Sequence, residues 1–288
     1  MRIESWAKAT CASGEAVLPV AVISLPDQVE RRRLLIERGL PGGWVEPYWS
    51  ATDLRAATSD QLASFVDVQA YIQFSGEPLR AAVVGCATSH RCLAQWLAAS
   101  GFPLLLVLED DVVPSTADPS HAVLEMANQL WPAAVRGDSF VCHLGTRPEQ
   151  LDQSLRRPLK RSAYWGAERR LWWHIDPRPT IWRAHAYLLS RGAAQRTVMR
   201  ESRMRTVADD WIRRRDLGLI DRLYLIDPRI FRQDESITST LGFPPVPLPA
   251  PPSGNLLQRG AASLRFRSRK VLGQILHQRP FELSRRIP

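Results

Sequence analysis

Three consecutive carboxylates, Glu109, Asp110 and Asp111, follow the aliphatic run Leu104–Leu108. A short, continuous apolar run of this kind predicts a strand that is buried on both faces. Because side chains alternate along a strand, we expect Glu109 and Asp111 on one side and Asp110 on the other. Two carboxylates on one side of a strand end suit a hard divalent cation, Mg²⁺ or Mn²⁺, at the sheet edge where α/β proteins bind ligands. The alternative interpretation is a solvated acidic turn.

Two further acids, Asp209 and Asp210, open a predicted short helix. Acids at this position can act as helix caps and interact with the helix dipole. His90 ends a segment rich in small residues, Val83–His90, that leads into another predicted helix. Small residues allow close packing against a neighbouring element or a phosphate. For His90 itself, a packing role and a catalytic role both stay open.

A strand–helix–strand unit begins the organised part of the chain. We predict a strand over residues 17–25, a helix over residues 28–39 and a second strand over residues 44–49. This is the usual start of a nucleotide-binding α/β sheet. The carboxyl end of the first strand, at Ser24 and Leu25, would then meet the nucleotide.

Helices and strands continue to alternate on both sides of the acidic run. Periodicity and flanking residues predict helices over 61–74, 83–99, 121–131, 191–200 and 207–216, and strands over 104–108, 139–145, 184–190 and 222–226. Residues 146–179 have no regular pattern and are predicted to be irregular. Their aromatic residues, which include Trp172 and Trp173, suit either the apolar face of a sugar ring or an aromatic mini-core beneath a long loop.

The formal net charge of the chain is +9, and most of it lies near the end. Residues 253–288 contain eight basic residues and one acid, which leaves about +2 for everything before them. The prolines of residues 243–253 predict an extended linker. Beyond it, residues 254–288 have the pattern of a basic amphipathic tail that lies on an anionic membrane surface. An ordinary solvated tail is the alternative. The folded domain is therefore expected over residues 17–242.

The four cysteines form no CxxC pair. This spacing disfavours a disulfide framework and metal binding by sulfur, and favours buried thiols in a reducing compartment. No apolar run approaches the roughly 20 residues that a membrane span needs, and the N-terminus lacks the pattern of a secretory signal. We therefore expect a cytoplasmic protein that is peripheral on the inner face of the cell membrane.

Taken in order, several short motifs resemble the family 25 glycosyltransferases, which include bacterial lipopolysaccharide and lipooligosaccharide β-galactosyltransferases. The resemblance covers about residues 17–240 and is carried by Val22–Leu25 with Glu30–Arg32, Gly85–His90 with Trp96, Leu108–Val112, Ala186–Arg191, Val207–Asp210, and Pro228 with Gln233. Each motif alone is weak, whereas the ordered set is fairly specific. The resemblance implies a GT-A-like, Rossmann-type α/β domain with a mostly parallel central sheet. It also implies a nucleotide-sugar donor, usually UDP-galactose, and inversion at the anomeric carbon.

The resemblance assigns roles to the acids as well. Asp111 would be the metal ligand, with Glu109 and Asp110 orienting the Mn²⁺ or Mg²⁺ ion and the ribose, Glu109 as a second ligand. An inverting transfer needs a carboxylate that takes the proton of the acceptor hydroxyl, and Asp209 or Asp210 is the candidate. The expected donor-binding residues are Ser24, Leu25, Arg31, Arg32, Ser89, His90, Glu109 and Asp110. For the two arginines, solvation of a helix is the alternative to nucleotide contact.

The sequence departs from the family at Ala184–His185, where several members have small or hydroxyl residues. The acceptor pocket is therefore expected to differ, and its candidate residues are Trp172, Trp173, His185 and Tyr187. The expected acceptor is a lipopolysaccharide or lipooligosaccharide precursor, or another cell-surface glycan.

Three other functions stay open at this stage. A basic nucleic-acid-binding protein would use the arginine-rich tail to contact phosphates. No helix-turn-helix, zinc-finger or RNP pattern occurs in the sequence, so a nucleic acid partner is not expected. A metal-dependent phosphohydrolase could use the same acidic cluster. A transferase-like domain without activity is the third alternative.

Overall fold

A computed structural model describes residues 8–10, 17–75, 79–145, 156–158, 164–165, 169–174 and 183–237. The chain divides into two units, Met1–Leu248 and Pro249–Pro288, and all of the described residues belong to the first. The predicted linker 243–253 and tail 254–288 lie outside the described residues. Within the described ranges, no helix is both long and apolar enough to cross a membrane.

The described residues contain both strands and helices, interspersed along the chain. The strands are β1 (Lys8–Thr10), β2 (Val17–Ser24), β3 (Trp49–Ser50), β4 (Leu104–Glu109), β5 (Val112–Pro114), β6 (Phe140–His143), β7 (Arg156–Pro158), β8 (Tyr164–Trp165), β9 (Arg169–His174), β10 (Ala186–Ser190), β11 (Arg222–Asp227) and β12 (Phe231–Gln233). The helices are α1 (Val29–Glu37), α2 (Gly42–Val45), α3 (Ser59–Phe65), α4 (Val68–Ser75), α5 (Ala81–Ala99), α6 (Pro119–Val135), α7 (Arg191–Arg200) and α8 (Trp211–Asp216).

One large mixed sheet organises these elements. Its strands lie in the order β1-β2-β4-β10-β6-β11-β9-β7, with β3 paired to β2 and β8 paired to β9. Strand β2 runs parallel to β4, and β6 runs parallel to β11, whereas β10 is antiparallel to both of its neighbours, β4 and β6. The predicted α/β class is confirmed, but the predicted mostly parallel arrangement is wrong. A buried apolar strand shows the same pattern in either direction, so the sequence carried no signal for the reversal of β10.

Strand β4 is buried on both faces, as its apolar run predicts. Leu104, Leu106 and Leu108 pack into the core that includes α6, whereas Leu105 and Val107 pack into the core that includes α5 and α7. All five side chains are fully shielded from solvent. The sheet therefore has helices on both faces. Strand β4 runs through its interior, and Glu109 lies where this strand ends.

Several predicted elements differ from the observed ones. Residues 44–49 do not form a strand, because α2 occupies Gly42–Val45 and only Trp49–Ser50 pair with β2. The helix predicted over 61–74 is broken at Val66, which forms a bridge with Met204. The region predicted to be irregular contains β7, β8 and β9, and β9 pairs with β11.

The small-residue segment Val83–His90 lies inside α5. A Cβ atom at Gly85 would lie 2.6 Å from the backbone oxygen of Thr52, so only glycine allows the loop after β3 to approach the helix. The hydroxyl of Ser89 fixes the same loop, because it accepts a hydrogen bond of 2.8 Å from the backbone N–H of Thr52. The predicted close packing is present, and its partner is the protein's own backbone.

Candidate active site

A cavity of about 820 Å³ opens at the carboxyl ends of β2 and β4. The two strands end together, because Ile23 pairs with Glu109 in the parallel register. The segment before α8 and the loop after β12 close the cavity from the other side. Nine of the residues predicted from the sequence line it: Ser24, Leu25, Arg31, Ser89, Glu109, Asp110, Asp111, Asp209 and Asp210.

Asp110 connects the ends of β2 and β4. The hydroxyl of Ser24 donates a hydrogen bond of 2.7 Å to Oδ2, and Nη1 of Arg31 donates one of 3.1 Å to Oδ1. Arg32 does not line the cavity. Its buried guanidinium donates hydrogen bonds to the backbone oxygen of Leu25 at 2.8 Å and to Oγ of Ser24 at 3.0 Å. Arg31 therefore faces the cavity, while Arg32 holds the loop that leads from β2 into α1.

Glu109 is the last residue of β4 and contacts α5. Its Oε1 lies 2.9 Å from Nε2 of His90 and 3.8 Å from Sγ of Cys86. Burial, followed by the charges of Asp209 and Asp110, raises the pKa of Glu109 to about 8. Burial also lowers the pKa of His90 to about 3. Both shifts favour the uncharged form of the side chain, so the contact between Glu109 and His90 has the character of a hydrogen bond rather than of an ion pair.

Asp111 has one satisfied and one unsatisfied carboxylate oxygen. Oδ2 accepts a hydrogen bond of 2.8 Å from Nε2 of Gln233, whereas Oδ1 is buried without a hydrogen-bond partner in the described part of the chain. Burial and the charge of Glu109 raise the pKa of Asp111 to about 7. A divalent cation bound to these oxygens would offset the repulsion between Asp111 and Glu109, and it would give the buried Oδ1 an interaction partner. The residues at this position therefore fit Mg²⁺ or Mn²⁺.

Asp209 and Asp210 are adjacent in sequence but do different things. Asp210 is the N-cap of α8, and its Oδ1 accepts a hydrogen bond of 3.0 Å from the backbone N–H of Arg213. Asp209 lies closer to the other acids, and its charge contributes to the raised pKa of Glu109. Burial raises the pKa of Asp209 itself. Of the two acids, Asp209 is the one with a carboxylate not used in a helix cap.

Arg183 is a residue of the site that the sequence did not suggest. It has a positive φ of 81°, and its backbone N–H donates a hydrogen bond of 3.1 Å to Oδ2 of Asp209. Its carbonyl accepts hydrogen bonds from Nε2 of His143 at 2.7 Å and from Nε1 of Trp211 at 2.9 Å. An arginine after an arginine-rich stretch does not indicate a backbone conformation of this kind. The sequence therefore carried no signal that could have identified Arg183 as a residue of the site.

Two of the four candidate acceptor residues lie outside the lining of the cavity. His185 and Tyr187 are buried and do not line it. The hydroxyl of Tyr187 lies 2.8 Å from Nδ1 of His90, and both ring nitrogens of His185 lack hydrogen-bond partners within the described ranges. Trp172 and Trp173 belong to β9 rather than to a loop, and their side chains lie outside the described residues.

Neither a family model nor a curated protein matches the chain. The geometry of the cavity is therefore the basis on which a function can be argued.

Proposed function

We propose that this protein is a GT-A-type glycosyltransferase that moves a hexose from a UDP-sugar to a hydroxyl group of a glycan, with inversion at the anomeric carbon. Galactose is the default donor sugar of the family that the sequence resembles. The observation that carries the proposal is the buried Oδ1 of Asp111 beside Glu109, which has no hydrogen-bond partner among the described residues and lies where the parallel strands β2 and β4 end. Ligands bind at this edge in α/β proteins.

The cavity suits a nucleoside diphosphate sugar in size and in charge. Its volume of about 820 Å³ lies within the range of small-molecule sites, roughly 300–1,000 Å³. Asp111 and Glu109 would hold Mn²⁺ or Mg²⁺, and a bound cation supplies the charge neutralisation that a leaving diphosphate needs. The cavity wall also carries arginines suited to phosphate oxygens, namely Arg31, Arg55, Arg80, Arg183 and Arg213.

Asp209 is the proposed proton acceptor. Asp209 would take the proton of the acceptor hydroxyl as that oxygen attacks the anomeric carbon. Its raised pKa makes it a better base than an exposed aspartate. The hydrogen bond from the backbone of Arg183 holds the carboxylate in place without using both oxygens.

The partners follow from the same proposal. The acceptor would be a glycan or glycolipid, such as a lipopolysaccharide or lipooligosaccharide precursor. The basic residues 254–288 would bring the enzyme to an anionic membrane surface on the cytoplasmic side, where such precursors carry their lipid. Eight basic residues against one acid in that stretch support this location.

The deciding experiment is a calorimetric titration of UDP into the purified protein with Mn²⁺ and then with EDTA. We expect micromolar binding that is lost with EDTA and lost in Asp111→Asn. Asp60→Asn, the same substitution at an exposed aspartate of α3, is the matched control and should bind as the wild type does. Absence of UDP binding under every condition would overturn the proposal. Hydrolysis of simple phosphate esters without any need for UDP would favour a phosphohydrolase instead.

A further inference from the structure

Cys86, His90 and Glu109 form a cluster of three different ligand types at the inner wall of the cavity, here called the Cys–His–Glu cluster. Sγ, Nε2 and one carboxylate oxygen all lie within 4.8 Å of one another. Cys86 and His90 stand four residues apart on α5, so both point to the same face of the helix. We propose that this cluster binds Zn²⁺, at a position separate from the oxygen ligands of Asp111, and that bound zinc inhibits the enzyme.

The distances suit tetrahedral zinc. Zinc bonds of about 2.3 Å to sulfur, about 2.05 Å to nitrogen and about 2.1 Å to oxygen place the nitrogen and oxygen about 3.4 Å apart, and the sulfur and oxygen about 3.6 Å apart. The corresponding distances here are 2.9 Å between Nε2 of His90 and Oε1 of Glu109, and 3.8 Å between Sγ of Cys86 and the same oxygen. Side-chain shifts of about half an ångström or less would therefore bring these two distances to the values of a zinc site.

Tyr187 provides the support that a zinc-bound histidine needs. Its hydroxyl lies 2.8 Å from Nδ1 of His90, so Nδ1–H can donate to it while the lone pair of Nε2 faces the cluster. Zinc-bound histidines commonly use their second nitrogen in this way, which fixes the ring and its tautomer. The tyrosine ring is held in turn by Trp211, with ring centroids 4.9 Å apart. This packing explains why a buried histidine points its second nitrogen at the cavity wall.

The cluster is accessible from the cavity. Cys86 and Glu109 line the wall, and His90 lies behind them. Three protein ligands leave the fourth tetrahedral position for water from the cavity. When Zn²⁺ binds, the thiol of Cys86 loses its proton to solvent and its sulfur bonds to the zinc. Any proton on Glu109 passes to solvent as well.

The ligand types distinguish this site from the proposed catalytic one. A thiolate with an imidazole prefers Zn²⁺, whereas carboxylates alone prefer Mg²⁺ or Mn²⁺. Glu109 belongs to both sites, so zinc on the cluster withdraws it from the cation that accompanies UDP. The inhibition therefore rests on the proposed function, whereas zinc binding itself does not.

Cobalt is the probe for this site, because Co²⁺ bound to a thiolate gives a charge-transfer band in the near ultraviolet. We expect the wild-type protein, without nucleotide, to show this band with one Co²⁺ per chain, and stoichiometric Zn²⁺ to remove it. Cys86→Ser should abolish the band. Cys92→Ser, the same substitution on the same helix but outside the cluster, should keep it. Tyr187→Phe keeps all three ligands and should weaken cobalt binding by about tenfold.

Thermal melting of each variant separates loss of a ligand from loss of the fold. A wild-type protein without the band, a band that survives Cys86→Ser, or a band that disappears in folded Cys92→Ser would each overturn the site. Micromolar Zn²⁺ should also weaken UDP binding in Mn²⁺ in the wild type and not in Cys86→Ser. Because the band is measured without nucleotide, failure of UDP binding would not contradict the zinc site. Absence of the band would likewise not contradict UDP binding.

Discussion

Oδ2 of Asp209 accepts a hydrogen bond of 3.1 Å from the backbone N–H of Arg183, a residue with a positive φ of 81°. The left-handed conformation is unfavourable for a residue with a side chain. It is held here by two further hydrogen bonds, which the carbonyl of Arg183 accepts from His143 and Trp211. The position of the proposed base is thus determined by a backbone conformation that is fixed from within the core.

Asp209→Asn should impair catalysis, whereas Asp210→Asn should not. Asp209→Asn removes the proton acceptor, so we expect turnover to fall by about 10²–10⁴-fold with UDP affinity and melting temperature unchanged. Asp210→Asn should keep its activity and stability, because asparagine is as good an N-cap as aspartate. Transferase kinetics and thermal melting of both variants check this. Loss of turnover in Asp210→Asn with retention in Asp209→Asn would assign the roles the other way.

The sequence could place this pair of acids but could not separate them. Both precede a helix, and which one becomes the cap depends on whether the first helical residue is Asp210 or Trp211. A difference of one residue at a helix boundary is beyond what a periodic pattern determines. The structure begins α8 at Trp211, so Asp210 is the cap.

The expected alternation of the acidic run fails for a similar reason. Strand β4 ends at Glu109, and Asp110 and Asp111 form a turn before β5. Strand alternation no longer applies within a turn, so all three acids line the cavity. The apolar run could predict a buried strand that ends in acids, because burial and period are local properties. The exact end of the strand depends on the pairing of β5 with β12, far along the chain.

Glu109→Gln should change how stability depends on pH. The folded protein holds a proton on Glu109 up to about pH 8, whereas an unperturbed glutamate ionises near 4.5. The folded state therefore binds more protons in this interval, and its free energy of unfolding falls as the pH rises through it. Glutamine resembles the protonated carboxyl, so the variant should lose part of this fall. Asp111, with a pKa raised to about 7, contributes the remainder.

Melting curves in EDTA across that interval measure the effect. The stability gained by Glu109→Gln over the wild type should grow as the pH rises and level off above about 8. Glu37→Gln, at an exposed position of α1, is the matched control and should follow the wild-type curve. Parallel curves for Glu109→Gln and the wild type would show that Glu109 is ionised in the folded protein at neutral pH.

Arg32→Lys should destabilise the fold, whereas Arg33→Lys should not. Lysine at position 32 cannot reach the oxygens of Ser24, Leu25 and Pro26 together, as the buried guanidinium does. The unmet acceptors should cost about 2 kcal/mol in the free energy of unfolding. Arg33 is exposed, and its ion pairs among the described residues are with Glu30 and Glu37 of its own helix, so its replacement should leave the urea midpoint in place. Equal midpoints for the two variants would contradict a structural role for Arg32.

The arginines at the start of α1 show why such roles are hard to predict. Arg31, Arg32 and Arg33 have the same side chain, and the sequence offered nucleotide contact or solvation for the first two. Successive residues of a helix point about 100° apart, so the three reach the cavity, the β2–α1 loop and solvent respectively. Only the docking of α1 on the sheet decides which residue takes which direction.

His185 offers a test of the acceptor prediction through stability as well as activity. Both of its ring nitrogens are buried without hydrogen-bond partners among the residues that the structure describes, which is costly for a polar group. Replacement by leucine, which has a similar volume, should therefore raise the free energy of unfolding by about 1 kcal/mol. Because His185 does not line the cavity, transfer should continue at the wild-type rate.

His143→Leu is the matched control, since His143 is an equally buried histidine that packs edge-on against His185. Its Nε2 donates a hydrogen bond to the carbonyl of Arg183, and its Nδ1 accepts one from the backbone N–H of Gly145. Its loss should lower the free energy of unfolding by about 2 kcal/mol and should reduce turnover, because Arg183 positions Asp209. Urea denaturation and transferase kinetics of the two variants distinguish the roles. A stable His185→Leu protein with impaired transfer would support the original prediction that His185 belongs to the acceptor site.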